Sequence, residues 1–572
     1  MGSFLKSVLA TLVAVALLFL VFMGVAWLKW GRPPQVDKGS ILVQTVGGEM
    51  PEYPPGGATS GILVSATPTL QGILTNLDKA AVDKRIHGVL ITLESPGAGY
   101  GKLEEVRDGI ARVRKAGKPV WAWADVMDLK ALYVASACDS LFLFPNAYVE
   151  LDGMFSGHIF LKDALHKLGM EPQIHRIARF KSAAEMVTRS DLSGPAREMT
   201  RWILGDIYPH VIGDIAEGFS VDTTAVTAVL EKTVLNTDDM VAAGLASGSR
   251  WWDEMKAALP RPGGKDEPRL VAGADYARIE PGKVGLKGKK KIAVVHAQGY
   301  IGGQDSGYNP LLGMTMGRRT VNRDLKRAMD DDDVAAIVFR IDSGGGSSLT
   351  SDRIGRMVGV AAAKKPVIVS MADVAASGGY SIAYRATTLV ADGNTITGSI
   401  GSITGKFVMK GFYDKLGVTK DGVGIGPNPD FYSDYRPWTP AEYAKVEAGH
   451  WDDYDRWIAD IAAHRGLTPA EVDSVGRGRV WTGRQALDRK LVDRLGDLHA
   501  AIEIAKEAAK IPADKKVTVV HYPQPRGLMA QILGTPLGVA AERWAARWVR
   551  EQGEETARLT RGDVQVLEVP VP

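Results

Sequence analysis

Three glycine-rich stretches in the second half of the chain carry residue types suited to acyl chemistry. They are Asp342-Ser343-Gly344-Gly345-Gly346-Ser347, Ala375-Ala376-Ser377-Gly378-Gly379-Tyr380 and Thr397-Gly398-Ser399-Ile400-Gly401-Ser402. Each follows an apolar run that reads as a strand. A glycine just past a strand lets backbone N–H groups approach a ligand that a Cβ would exclude. A serine at such a strand-to-helix turn points its hydroxyl at the strand ends, while a neighbouring N–H can face an oxyanion. Ser377 is therefore a candidate nucleophile in the manner of a nucleophile elbow, although the G-x-S-x-G pattern is absent. A nucleophilic serine needs a proton acceptor. The nearest histidines in sequence are His296 and His450, with none between them.

An internal repeat supplies another acceptor. Leu77-Asp78-Lys79-Ala80-Ala81 and Leu93-Glu94-Ser95-Pro96-Gly97 recur 248 residues later as Leu325-Lys326-Arg327-Ala328-Met329 and Ile341-Asp342-Ser343-Gly344-Gly345. Lys118-Pro119-Val120 answers Lys365-Pro366-Val367, Ala124-Asp125-Val126 answers Ala372-Asp373-Val374, and Leu168-Gly169 answers Leu416-Gly417. Matches at so constant a spacing indicate a duplicated domain. On this alignment Ser377 falls on Lys130, so the first copy lacks the serine. Lys181 falls on Asn428 or Pro429, so the second copy lacks the lysine. Each copy keeps what the other has lost, as one working pair shared between two copies would require.

The elements that must hold this pair alternate in type. The first copy has apolar strands at Ile41–Thr45, Val89–Leu93 and Val120–Trp123, with an amphipathic helix over Leu103–Arg114. The second has strands at Ile292–Val295, Ala336–Ile341 and Val367–Met371. Such alternation predicts an α/β fold with mostly parallel sheets. The expected organisation is a membrane anchor and spacer over 1–38, a first repeat over 39–258 and a polar, turn-rich linker over 259–290. A second repeat follows over 291–505, then an extension over 506–572 without counterpart in the first half. In that extension Leu537–Arg550 reads as an amphipathic helix.

Composition limits the alternatives. A chain of 572 residues, 45% hydrophobic and 24% charged, is ordinary globular material in two or more domains. The net charge of +3 argues neither for nor against nucleic acid. A single cysteine, Cys138, rules out an intrachain disulfide and a cysteine-based zinc site, and reads as inert packing. Ser7–Leu28 is 22 residues without a charge, about 33 Å of helix, long for a cleaved leader and enough to span hydrocarbon. Flanking charges, Lys6 against Lys29 and Arg32, leave its orientation open.

The motifs Arg179-Phe180-Lys181-Ser182-Ala183, Ala376-Ser377-Gly378-Gly379-Tyr380 and Thr397-Gly398-Ser399-Ile400-Gly401 resemble those of the long-form signal peptide peptidase A family, also called protease IV. These are serine–lysine peptidases of the Clp-protease/crotonase superfamily. The resemblance spans roughly residues 40–505 plus the anchor and implies two tandem crotonase-like (spiral ββα) domains. It implies Ser377 as nucleophile, Lys181 as general base, Ser399 as the hydroxyl orienting the amine, and the N–H groups of Gly345 and Gly378 as the oxyanion hole. It further implies a homotetramer on the bacterial inner membrane, its catalytic part facing the periplasm. The substrates would be remnant signal peptides and other unfolded hydrophobic segments, with no nucleic-acid partner. No metal or organic cofactor is expected, since serine, lysine and backbone dipoles suffice for acyl transfer. One departure is Gly344, where the family usually has proline. It loosens the loop and removes no donor.

As a base, Lys181 must be neutral, whereas a free lysine is only about 0.04% neutral at pH 7. Its pKa must fall by roughly 3 units through burial away from carboxylates. Phe180, Ala183, Ala184 and Met186 suit that, but a salt bridge to Glu185 would keep the lysine charged. Whether Lys181 and Ser377 meet within one chain or across protomers is open at this level. A crotonase-like acyl-CoA enzyme and a catalytically decayed membrane scaffold are the alternative readings.

Overall fold

The computed structural model describes residues 34–54, 68–262, 267–310 and 312–524, together with Leu17 and Val21. Apart from those two residues, the expected anchor lies outside the described residues, as do positions 263–266 of the linker and the expected helix Leu537–Arg550. Among the described residues, no helix is long and apolar enough to cross a membrane.

In the first half the elements are β1 (Ser40–Gly48), α1 (Leu70–Val82), β2 (Ile86–Pro96), α2 (Tyr100–Lys115), β3 (Val120–Met127), α3 (Leu129–Ala135), β4 (Ser140–Glu150), β5 (Glu171–Arg176) and α4 (Gly194–Phe219). Strands β4, β3, β2 and β1 lie side by side, each parallel to the next. The apolar runs of β1 and β2 are largely buried on both faces, as parallel strands covered by helices require, while β3 and β4 alternate buried and half-buried residues. Ile91 and Leu93 of β2 pack with Ile110 of α2 and Leu132 of α3 in one continuous core.

The second half repeats the plan with β6 (Lys291–Gln298), α5 (Arg318–Asp330), β7 (Val334–Ser343), α6 (Ser348–Ala362), β8 (Val367–Ala376), α7 (Gly378–Ser381), β9 (Ile396–Gly398), β10 (Ile403–Val408), β11 (Val480–Thr482) and β12 (Thr518–Tyr522). Its sheet runs β11, β9, β8, β7, β6, β12 around a separate core. All the strands expected from the sequence are present, somewhat longer than the apolar runs that identified them.

Two expected boundaries need correction. Leu270–Ala272, assigned to the linker, lies parallel to β1 as an edge strand of the first sheet. Likewise β12, assigned to an extension without counterpart, lies parallel to β6. Each copy thus closes with a strand beside its own first strand, so the duplication runs to about residue 522. These edge strands are short, three and five residues, and stand in polar, turn-rich surroundings. Their identity comes from the neighbour they pair with. Cys138 is buried just beyond the end of α3, its thiol pushed up to about 12 by burial and by Asp139, as inert packing requires.

Buried charge joins the halves. Arg340 of β7 is completely buried and pairs with Glu52 (2.8 Å) and Glu105 of the first half. Lys102 of α2 reaches Asp342 at 2.7 Å. Asp373 of β8 accepts the Gly99 and Lys102 N–H groups at 2.7 and 2.8 Å, satisfying the open start of α2. A second junction is a two-stranded antiparallel ribbon of β5 and β10, pairing Ile403 with Arg176 through Val408 with Glu171. This ribbon carries the functional consequence.

Candidate active site

Ser377 sits where β8 turns into α7, with φ 56° and ψ −118°. That is a strained conformation for a non-glycine residue, of the kind concentrated at functional sites and costing about 1–3 kcal/mol. Its N–H donates to the Gly398 carbonyl at 2.9 Å, tying the turn to β9. Ser399, with φ 49°, follows β9 directly, and four residues later the chain enters the β5–β10 ribbon. On the other strand of the ribbon, Lys181 comes five positions after Arg176. The ribbon therefore anchors both the lysine and Ser399.

Lys181 Nζ lies 2.9 Å from Ser377 Oγ, 2.9 Å from Ser399 Oγ and 3.0 Å from the Ser399 carbonyl, all within one chain. The lysine is only 4% exposed, and burial lowers its pKa to about 7. These three contacts suit a neutral amine. Two N–H bonds donate to Ser399 Oγ and O, leaving the lone pair to accept the Ser377 hydroxyl proton. The same positions serve an ammonium donating to all three oxygens, so the amine can change protonation state without moving.

Glu185 does not hold the lysine charged. Its carboxylate accepts from Arg176 at 2.7 Å and from the Ser193 hydroxyl and N–H at 2.6 and 3.0 Å. Burial opposes its ionisation, but these bonds keep its pKa below the usual carboxylate value. The flanking histidines are also committed elsewhere. His296 bonds His521 at 3.0 Å and stacks on Tyr53. His450 bonds Ser402 at 2.7 Å and His175 at 2.8 Å. Burial, reinforced by His175, lowers the His450 pKa to about 4.

The two glycines expected to donate to an oxyanion lie together. A Cβ on Gly345 would stand 2.7 Å from the Gly378 nitrogen. Gly378 opens α7, so its N–H has no acceptor within the helix. The Gly345 N–H, however, donates to Ser343 Oγ at 3.1 Å. Gly346 forms a parallel bridge with Ile301 through the Gly345 carbonyl and the Ser347 N–H. That pattern turns the Gly346 N–H to the opposite side, where its nitrogen would lie 3.2 Å from a Cβ on Gly378. The sequence reading named the Gly345 and Gly378 N–H groups; the structure gives the first of these to Ser343 Oγ and sets the Gly346 nitrogen beside Gly378.

Sequence reasoning missed the residues that seat Lys181. Gly478, at φ 80°, packs so closely that a Cβ there would overlap the Lys181 backbone. The Phe180 N–H donates to the Arg477 carbonyl, and the Arg479 guanidinium lies 4.0 Å from the Phe180 ring centre while pairing with Glu198. A glycine between two arginines in an otherwise polar turn was the available signal.

The profile of Peptidase family S49 matches residues 112–261 and 360–512, more than half of the chain. The two matches start 248 residues apart and contain Lys181 and Ser377 respectively. The chloroplastic serine protease SPPA of Arabidopsis thaliana is 32% identical over 509 residues, covering 88% of this chain and 74% of that protein. Protease 4 of Salmonella typhi is 30% identical over 527 residues, covering 86% and 83% respectively. Among solved structures, a mutant of the 1510-N membrane-bound stomatin-specific protease is 14% identical, covering 41% of this chain and 99% of that one, with a TM-score of 0.26. Carrying the family pattern once in each copy, the chain belongs to peptidase family S49 and is a serine peptidase akin to SPPA and protease 4.

Proposed function

We propose that the chain is an endopeptidase that works through a Ser377–Lys181 dyad. The observation that carries this reading is the 2.9 Å approach of Nζ to Oγ at a lysine whose nearby carboxylate, Glu185, is paired with Arg176. Neutral Lys181 takes the Ser377 proton as Oγ bonds to the scissile carbonyl carbon. The resulting oxyanion is held by the Gly378 N–H and a second N–H from the Gly345–Gly346 turn. Collapse expels the amine, which leaves with the proton held by Lys181. A water then gives a proton to Lys181 and attacks the acyl-enzyme, and the proton returns to Ser377 Oγ as the acid product departs. Ser399 holds the amine in line throughout.

The substrates are remnant signal peptides and other unfolded hydrophobic segments, products released into or beside a bilayer. The apolar segment Ser7–Leu28 tethers the enzyme to the inner membrane with its catalytic part in the periplasm, where it acts as a homotetramer. A fluorophosphonate probe tests the chemistry: it labels the wild type and neither Ser377→Ala nor Lys181→Ala, and both variants lose peptide cleavage while keeping the fold. Cleavage at the wild-type rate by Lys181→Ala would overturn the dyad. Coenzyme A thioester hydrolysis without peptide cleavage would favour the acyl-CoA reading, and an unlabelled wild type the decayed scaffold.

A further inference from the structure

A two-stranded ribbon is marginally stable by itself, yet the β5–β10 ribbon has to keep Lys181 and Ser399 within bonding distance of Ser377. Alternate residues of β10 face solvent, Ile403 and Phe407 among them. A helix that carries no residue of the dyad ties the ribbon down: α8 (Pro440–Arg465). Its buried residues His450, Tyr454, Ile458, Ile461 and Ala462 recur at the spacing of one helix face. The last four belong to the core of the second half. Asp460 accepts from the Tyr384 hydroxyl at 2.6 Å and from Arg385 at 3.0 Å. The helix is therefore fixed to the body of the second half, and the ribbon is fixed to the helix.

The link between them is a chain of four polar side chains. Ser402, three positions after Ser399 and just before β10, has its Oγ 2.7 Å from His450 Nε2. His450 Nδ1 lies 2.8 Å from Nδ1 of His175, on β5, whose Nε2 faces Glu447 of α8 at 3.4 Å. A neutral imidazole donates at one nitrogen and accepts at the other. Only one arrangement of two neutral rings gives every contact a donor and an acceptor. Ser402 donates to His450, His450 to His175, and His175 points its Nε2–H at Glu447. One added proton is accommodated, with Ser402 turning to accept from Nε2 and Glu447 facing the charge. A second puts hydrogens on both Nδ1 atoms and breaks the 2.8 Å contact.

Other groups around the pair leave this chain alone. Arg176 is paired with Glu185, and the Lys406 ammonium donates to the Phe431 and Ser433 carbonyls. The Tyr443 ring meets His175 edge-on at 6.0 Å. Burial, reinforced by His175 and opposed by Asp453, holds the His450 pKa at about 4. The chain is thus intact where Lys181 titrates.

One turn further along α8, the Tyr454 hydroxyl accepts the Arg477 N–H at 3.1 Å and donates to Asp473 at 2.9 Å. The turn it holds meets both partners of the amine: the Arg477 carbonyl accepts from Phe180, the Arg479 carbonyl accepts from Ser399 at 2.8 Å, and the Gly478 N–H donates to the Ile400 carbonyl at 2.7 Å. Through His450 and Tyr454, α8 reaches the Lys181 segment and the Ser399 segment from two sides.

We infer that His450 is a positioning residue for the peptidase reaction: bonded to His175 on β5 and to Ser402 at the entry to β10, it fixes where Lys181 and Ser399 stand relative to Ser377. It touches neither substrate nor reacting atoms. The inference rests on the Ser377–Lys181 reading and extends it to the helix behind the ribbon.

The test compares variants of the full-length chain by kinetics across pH and by thermal unfolding. His450→Phe keeps a ring and removes both bonds. It should lower kcat by about 10- to 100-fold with KM little changed, as a displacement approaching 1 Å can cause. The pH of half-maximal kcat/KM should rise from about 7 by about one unit, as the loosened amine regains water. His450→Gln, whose amide can replace the Nε2 contact with Ser402, should recover most of kcat. His521→Phe breaks the other buried histidine pair, at the opposite edge of the same sheet, and should leave kcat and midpoint as in the wild type. A His450→Phe enzyme of wild-type kcat, or one losing activity with an unmoved midpoint, would overturn the inference. So would equal impairment of His521→Phe. If His450→Phe does not fold, Ser402→Ala decides: kcat about 2- to 13-fold lower with a raised midpoint is expected, and wild-type values would overturn it. Lys181→Ala assayed alongside separates the two readings. Inactive Lys181→Ala with unaltered His450→Phe would leave the dyad and remove the positioning role, whereas active Lys181→Ala would remove both.

Discussion

Replacing Lys181 with methionine should abolish cleavage and yet stabilise the protein at neutral pH. The lysine has a pKa of about 7 when folded, against an ordinary value of 10.5. Between these values the unfolded chain binds more protons than the folded one, so stability rises with pH. The penalty for burying this amine is full below pH 7, declines as pH rises and vanishes above about 10.5. Linkage gives about 4 kcal/mol at pH 7 and about 2 kcal/mol at pH 9. Methionine fills nearly the same space without the penalty, but loses three hydrogen bonds and leaves the Ser399 carbonyl without its amine partner, at about 1–3 kcal/mol. Denaturant unfolding of both proteins from pH 6 to 9 isolates the effect, since all other titrations cancel in the difference. Methionine's advantage should shrink by about 2 kcal/mol between pH 7 and 9 and reverse above that. Curves running parallel across this range would mean that Lys181 titrates as an exposed lysine, and the base assignment would fall with them.

The wild-type kcat/KM should rise with pH, reach half its maximum near pH 7 and level off. A rise continuing to pH 10 would indicate an unperturbed amine. Ser399→Ala removes one of two acceptors of the amine, and should lower kcat by about 2- to 13-fold, corresponding to roughly 0.5–1.5 kcal/mol. Gly478→Ala forces the Lys181 backbone away and strains a left-handed residue. Activity should fall by about 100-fold, as a displacement near 1 Å can cause, with circular dichroism unchanged. Arg340→Met leaves Glu105 buried without its cation and Glu52 with only Lys102 at 3.7 Å, and should cost about 3–5 kcal/mol, read as a lower denaturation midpoint.

Much of the site was legible because its chemistry is local. Ser377 was legible as a candidate because its strand ends in Ser-Gly-Gly, a turn that can expose a hydroxyl beside N–H groups, although Ser343-Gly344-Gly345 ends a strand in the same way. The repeat spacing made Lys181 a candidate, and the resemblance of Arg179–Ala183 to the peptidase motif gave it the role of base. Other features were illegible for equally physical reasons. The fate of Glu185 depends on Arg176 and Ser193, which reach it only after the chain turns back from β5. The Ser343 hydroxyl could be placed on the Gly345 N–H only once the loop had a conformation. Leu270–Ala272 and β12 are too short for any pattern within them to say which sheet they join, which only their pairing with β1 and β6 decides.

Residue type and spacing were enough to establish a duplicated α/β protein in which serine and lysine survive in opposite copies. Folding does not alter such facts, so they can be read before it. That the two side chains meet inside a single chain, at 2.9 Å, emerged only from the folded molecule, as did the arginine that draws off the carboxylate which would have kept the amine charged. A lysine's pKa depends on burial and neighbouring charge, and both exist only once the two halves have come together.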